Sequence, residues 1–209
     1  MISALVCTGK ADNVELRQVS PPVPEPGELL VAVRAVSVNR GELHRLADPA
    51  NAGWRPGWDF AGEVLAAANT SPGAGWLTPG TRVFGMCANG SWAERIAVPS
   101  SQLARVPNGL SWARAAALPV AGLTALRTLR LASPPGVTGW VTAPAGLGGL
   151  IGCRVLVVGA AGGVGRFAVR LAALAGAEVT AVARRAGGLR ELGADHVLET
   201  PSLPEDGRG

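Results

Sequence analysis

Val155-Leu156-Val157-Val158-Gly159-Ala160-Ala161-Gly162-Gly163-Val164-Gly165 decides how this chain is read. Its first four residues are an apolar, β-branched run of the kind that forms a buried parallel strand. The run empties into glycines. Residues 166–175, Arg-Phe-Ala-Val-Arg-Leu-Ala-Ala-Leu-Ala, then repeat apolar side chains at helical spacing and stop at Gly176. Strand, glycine turn and helix in that order form the pyrophosphate cradle of a dinucleotide-binding βαβ unit. Ala160-x-Gly162-x-x-Gly165 stands where G-x-G-x-x-G is expected, with alanine in the first place. Gly162 lets the backbone approach a pyrophosphate, Gly165 lets the helix lie tightly on the strand, and the helix start offers free N–H groups to phosphate. Ala160, Ala161, Gly162, Gly163, Val164 and Gly165 are the candidate cofactor contacts.

Glycine turns also arise for purely conformational reasons, so the context matters. A second strand, Ala177 to Ala183, follows the helix and ends at Arg184-Arg185. That is close to the offset of about 20 residues at which the ribose-reading residue is expected. A carboxylate there would accept the 2′-hydroxyl of NAD, whereas arginine suits the 2′-phosphate of NADP. The reading is therefore NADPH, with Arg184 and Arg185 as its adenosine-end contacts. The plainer alternative is a solvated strand end.

Composition bounds the rest. A chain of 209 residues holds one large domain or two small ones. With 48% hydrophobic and 16% charged residues it has the balance of a folded globular protein. The net charge of +4 comes from scattered arginines, Lys10 being the single lysine, and no basic run is interleaved with aromatics. Nucleic-acid binding is unsupported. Cys7, Cys87 and Cys153 are odd in number and far apart, which fits a reducing cytoplasm. Leu131 to Cys153 is long and uncharged, but Pro134, Pro135, Pro144 and many glycines argue against a membrane span. A soluble, cytoplasmic protein is expected.

The chain divides by pattern. Up to about Leu118, short runs such as Leu29–Val36, Gly62–Leu65, Thr81–Phe84 and Ala93–Val98 are separated by Pro and Gly clusters. Such strands suggest a largely antiparallel, partly closed β domain. Ser111 reads as the N-cap of a helix through Ala115-Ala116-Ala117, and a second helix is expected over Leu123 to Leu131. The βαβαβ region follows, with a third strand at about His196 to Glu199.

Taken together, several motifs resemble the medium-chain dehydrogenase/reductase superfamily, and within it the zinc-independent quinone oxidoreductase group. They are Val38-Asn39-Arg40-Gly41-Glu42, Pro56-Gly57-Trp58-Asp59-Phe60-Ala61-Gly62-Glu63-Val64, Gly80–Gly85, Gly90-Ser91-Trp92-Ala93-Glu94, Ala115–Pro119, Gly122-Leu123-Thr124-Ala125, the glycine turn, and Leu192-Gly193-Ala194-Asp195. The resemblance implies an α/β plus β architecture. A GroES-like β-barrel catalytic domain (1–122) would precede a partial, half Rossmann fold (123–209). It also implies NADPH-dependent reduction of a quinone, an enone or an enoyl-type small molecule.

Two departures from the family accompany the resemblance. Zinc-dependent members carry a cysteine near Asn39 and Gly-His-Glu where Gly57-Trp58-Asp59 stands, and here the histidines are only His44 and His196. No metal site is expected. The chain also ends after the third Rossmann strand, where family members continue through a second βαβ half. That would leave the first strand with an apolar edge, which natural sheets avoid. The expected cover is the segment Pro134–Gly152, which includes Trp140-Val141-Thr142, or a partner such as a second copy in a homodimer.

By resemblance, Asn39 lies beside the nicotinamide and hydrogen-bonds the substrate oxygen, or else is only a strand-end turn residue. Thr124 would contact the cofactor or begin a helix. Asp59 and Glu63 read as loop-shaping residues, Glu42 and His44 as solvated loop positions that are also possible proton donors. Trp54 and Trp58 flank the expected cleft as core or as stacking surfaces, and Cys87 reads as a small buried apolar residue. Three functions compete: the oxidoreductase, a non-redox enzyme using the GroES-like pocket, and a non-catalytic NADPH-binding or pairing module.

Overall fold

The computed structural model describes residues 1–10, 14–67, 75–132 and 147–200. The chain forms two compact units, Met1–Val120 and Ala121–Gly209.

The first unit is antiparallel β structure. Strand β1 (Ile2–Cys7) pairs with β2 (Val14–Val19), from Ile2 opposite Val19 to Cys7 opposite Val14. The other strands are β3 (Glu28–Ser37), β4 (Asp59–Ala67), β5 (Arg82–Met86), β6 (Arg95–Pro99) and β7 (Leu103–Arg105). They form one sheet in the order β6-β3-β4-β5-β7, every pair antiparallel. Period-2 alternation explains the register: Leu29, Val31, Val64, Val83, Ile96 and Val98 all turn inward around Phe60, which is fully buried. Helix α1 (Arg40–Leu46) follows β3, and α2 (Trp112–Ala116) lays Ala115 and Ala116 against Ala61 and Val106. Ser111 caps α2 by accepting a hydrogen bond from the Arg114 amide, as its place before the alanine run implied.

Sequence reading missed β1, β2 and β7. Strand β2, Val-Glu-Leu-Arg-Gln-Val, is polar and largely exposed, so it carries no hydrophobic period and exists through its pairing with β1.

Helix α3 runs from Pro119 to Ala132, four residues earlier than expected. Proline is at home at the first helical position, where its missing N–H is no loss. In the second unit, β8 (Arg154–Val158), α4 (Gly163–Leu174), β9 (Glu178–Ala183) and β10 (His196–Glu199) form a right-ordered βαβ with a parallel three-stranded sheet, β10-β9-β8. Val157, Val179, Ala181 and Ala183 share one sheet face and are buried with Ala168, Val169 and Ala172 of α4. This is the Rossmann-like half fold expected from the sequence.

One expectation is corrected. Strand β8 is buried on one face only: Val157 is 8% exposed, whereas Leu156 and Val158 are 63% and 75% exposed. Alternation along the strand sends them to the opposite face, where Leu198 of β10 is exposed as well. Among the described residues, β8 pairs with β9 and with no strand on its other edge. Of the proposed cover, residues 134–146 lie outside the described residues. No described helix is long and apolar enough to cross a membrane.

Candidate functional site

The glycine turn joins β8 to α4. Gly159 takes the left-handed conformation (φ +73°), and the Gly162 amide donates to its carbonyl across 2.9 Å, closing the turn. Gly165 then passes against that same turn. A Cβ on Gly165 would lie 2.3 Å from the Gly159 carbonyl oxygen and 2.7 Å from the Ala160 Cα, so no other residue fits without moving backbone. Gly163, by contrast, has nothing within 4 Å of where its Cβ would be. Ala161, Gly162, Gly163 and Val164 face solvent. Gly162 is the N-cap of α4 and supplies no side chain, so the first-turn amides lack a side-chain acceptor. An exposed helix start with open amides and no Cβ in front of it is shaped for phosphate. Ala160 contributes differently. Its side chain is fully buried and its amide donates to the Val182 carbonyl, so it fixes the turn to β9.

Arg184 and Arg185 are exposed immediately after β9. Their loop is held at two points: the Ala186 amide donates to Glu199 Oε1 at 3.1 Å, and an Arg166 guanidinium N–H donates to the Gly187 carbonyl at 3.2 Å. Sequence reading had assigned Arg166 no role. A cation in the first turn of a helix opposes the helix dipole, and that mismatch was the available signal. Thr124 sits in the second turn of α3, exposed, with its carbonyl accepting from Thr128 Oγ1; it does not begin a helix.

A second constellation lies in the first unit, between the end of β3, α1 and the start of β4. Asn39 is the N-cap of α1 and is half-buried. Glu42 and Asp59 are both fully buried. Glu42 accepts from the Asn39 amide and from the Trp58 amide, each at 2.6 Å. Asp59 accepts from Asn39 Nδ2 at 3.0 Å through one oxygen and from the Val120 amide at 2.8 Å through the other. Burial pushes both carboxyls above their ordinary values, against the opposing pull of these hydrogen bonds, and the proximity of Asp59 raises Glu42 further. Cys87 Sγ lies 3.6 Å from the carbonyls of Gly57 and Trp58, and burial pushes its thiol up to about 11, far from a reactive thiolate.

Here the structure differs from the solvated loop position expected for Glu42 and from the loop expected around Asp59. Glu42 is a buried helix residue, and Asp59 belongs to a strand. The Asn39-x-x-Glu42 spacing is a capping-box pattern, and it was the legible signal for both the helix and the inward Glu42. His44 is exposed on α1, and Glu63 pairs with Arg34 at 2.8 Å. Trp58 lies over α1: a Cβ on Gly41 would meet its ring at 2.6 Å. The Arg45 guanidinium sits 5.5 Å from the Trp54 ring and 5.8 Å from that of Trp58, binding both indoles to the helix. Among the described residues, no three of His, Cys, Asp and Glu gather as metal ligands would.

Comparison with known proteins agrees with this architecture. The Alcohol dehydrogenase GroES-like domain family matches residues 25–108. A Mycocerosic acid synthase-like polyketide synthase of Mycobacterium tuberculosis is 34% identical over 207 residues, covering 93% of this chain and 9% of that protein. A Chloroplast envelope quinone oxidoreductase homolog of Arabidopsis thaliana is 34% identical over 206 residues, covering 91% of this chain and 58% of that protein. An alcohol dehydrogenase superfamily protein from Novosphingobium aromaticivorans superposes with a TM-score of 0.78 at 28% identity, covering 95% of this chain and 58% of that one. The chain thus spans under three-fifths of the length of these relatives. With a GroES-like unit followed by a parallel βαβ unit, and with these relatives, the chain has the fold of the medium-chain dehydrogenase/reductase superfamily and resembles its members in sequence.

Proposed function

We propose that the chain is an NADPH-dependent oxidoreductase acting on a quinone, an enone or an enoyl thioester. The observation that carries this is the turn at 159–165, where a glycine with no room for a Cβ sets the helix start and leaves its amides open. Gly162, Gly163, Val164 and Gly165 would hold the pyrophosphate, and Arg184 and Arg185 the 2′-phosphate. When bound, the nicotinamide supplies the hydride. The chain's own groups bind and orient: guanidinium on phosphate at the adenosine end, and at the substrate end the half-buried Asn39 carboxamide, a neutral group able to bond an oxygen without a metal. The quinone and polyketide names of the relatives support this substrate class. A cytoplasmic setting accords with the scattered free thiols.

Calorimetry with NADPH and NADH tests the reading. Replacing Arg184 and Arg185 together by alanine is expected to weaken NADPH by about tenfold to a hundredfold, the loss of charge-assisted phosphate contacts, with little change for NADH. Equal loss for both coenzymes, or none, overturns the assignment.

A second reading is favoured by the exposed Leu156 and Val158 of β8 and by its edge, which pairs with no strand among the described residues. In it the chain binds the dinucleotide and completes its sheet with a further polypeptide, a second copy included.

A further inference from the structure

The Asp59 carboxylate is fixed at both ends, by the Val120 amide on Oδ1 and by Asn39 Nδ2 on Oδ2. It is also fully buried at the head of β4, where its own carbonyl accepts from the Ser91 hydroxyl at 2.9 Å. A carboxylate only accepts, so the end of the Asn39 amide that faces it must be the nitrogen. Glu42 meanwhile holds the backbone amides of Asn39 and Trp58, so the Asn39 main chain is fixed too. A free surface asparagine exchanges its donor and acceptor ends by rotating about one bond. This one has a single polarity.

We propose that Asp59 is a positioning residue: it sets which end of the Asn39 carboxamide is turned inward, and so fixes where a ligand oxygen meets a donor. This rests on the reading of Asn39 as the group beside the reacting substrate. It reaches past a loop-shaping role for Asp59, because it makes the direction of one hydrogen bond the thing that matters.

The geometry makes an unusual variant informative. In Asp59→Asn the new Oδ1 still accepts from Val120, so its nitrogen is turned toward Asn39, where two donors now oppose each other. Asn39 relieves that by inverting its amide. In the exchange Asn39→Asp/Asp59→Asn the hydrogen bond has that same reversed polarity, and residue 39 is left with no N–H to donate.

The test uses the whole chain in three forms: natural, D59N, and N39D/D59N. D59N is expected to lower kcat with NADPH and a quinone or enone by about tenfold or more, with the NADPH Kd changed by less than about twofold. The exchange variant is expected to match D59N in melting temperature and to regain none of the kcat. Recovery of kcat in the exchange variant shows a merely structural bond and overturns the proposal, as does a D59N variant with undiminished kcat. Nuclear magnetic resonance of the Asn39 side-chain amide supplies a readout free of turnover. One of its two protons is expected to be slow to exchange in the natural chain and ordinary in D59N. Two ordinary protons in the natural chain overturn the proposal. Failure of NADPH to bind the natural chain is a separate result: it removes the proposed function and leaves the amide measurement to decide the role of Asp59.

Discussion

Glu42 is a carboxylic acid with no exposed surface, and its hydrogen bonds come from backbone amides rather than from a cation. Its raised pKa therefore runs opposite to the usual acidic side chain. A carboxyl that holds its proton more tightly when folded contributes most to stability below its unfolded value, and loses that contribution as pH rises through the folded one. Asp59 shares this direction, and Cys87 is the other titratable group held near the pair. Glu42→Gln is expected to destabilise by about 1–3 kcal/mol, since its amide nitrogen must face a backbone N–H. Urea unfolding of the natural chain and of Glu42→Gln from pH 5 to pH 8 checks the sign: the gap between them narrows with rising pH. A widening gap contradicts the assignment of burial as the main cause. None of this was legible from the residue itself. Glutamate in a polar-looking stretch reads as solvated, and only the capping pattern with Asn39, three residues before it, hinted otherwise.

At the scale of elements, what was readable depended on whether a segment carries its own period. Strands β8, β9 and β10 came within a residue of their expected limits because continuous apolar runs between glycines mark parallel strands. Helix α4 began at Gly163, three residues before the expected start at Arg166, since the glycine turn folds directly into it. Strand β2 had no such signal. Burial of β8 on both faces was the wrong inference from a correct strand, because composition reports what a strand can bury and not what lies over it. The difference is measurable. Val157→Ala is expected to cost about 1–3 kcal/mol, and Val158→Ala, one residue away on the open face, less than about 0.5 kcal/mol. Equal costs in urea unfolding would mean that the second face is covered.

For the whole molecule, the two units answer to different parts of the sequence. The βαβ unit and its glycine turn were legible from local pattern, because open amides and a glycine without room for a side chain are local properties. The cluster of Asn39, Glu42 and Asp59 was not, because it joins residues from α1 and its N-cap, β4 and the start of α3 that only the folded chain brings together. The proposed hydride chemistry presupposes a coenzyme at Gly162–Gly165, so the account stands on that turn. Gly163→Asp addresses it with least disturbance to the fold. The new side chain enters open space, and a carboxylate in the first turn of a helix is stabilising by about 0.3–1 kcal/mol. Calorimetric titration with NADPH is expected to show one site on the natural chain, and an affinity at least about tenfold lower in Gly163→Asp at an unchanged or raised melting temperature. Equal NADPH affinity in the two proteins would contradict the central claim that these amides hold the coenzyme's phosphates.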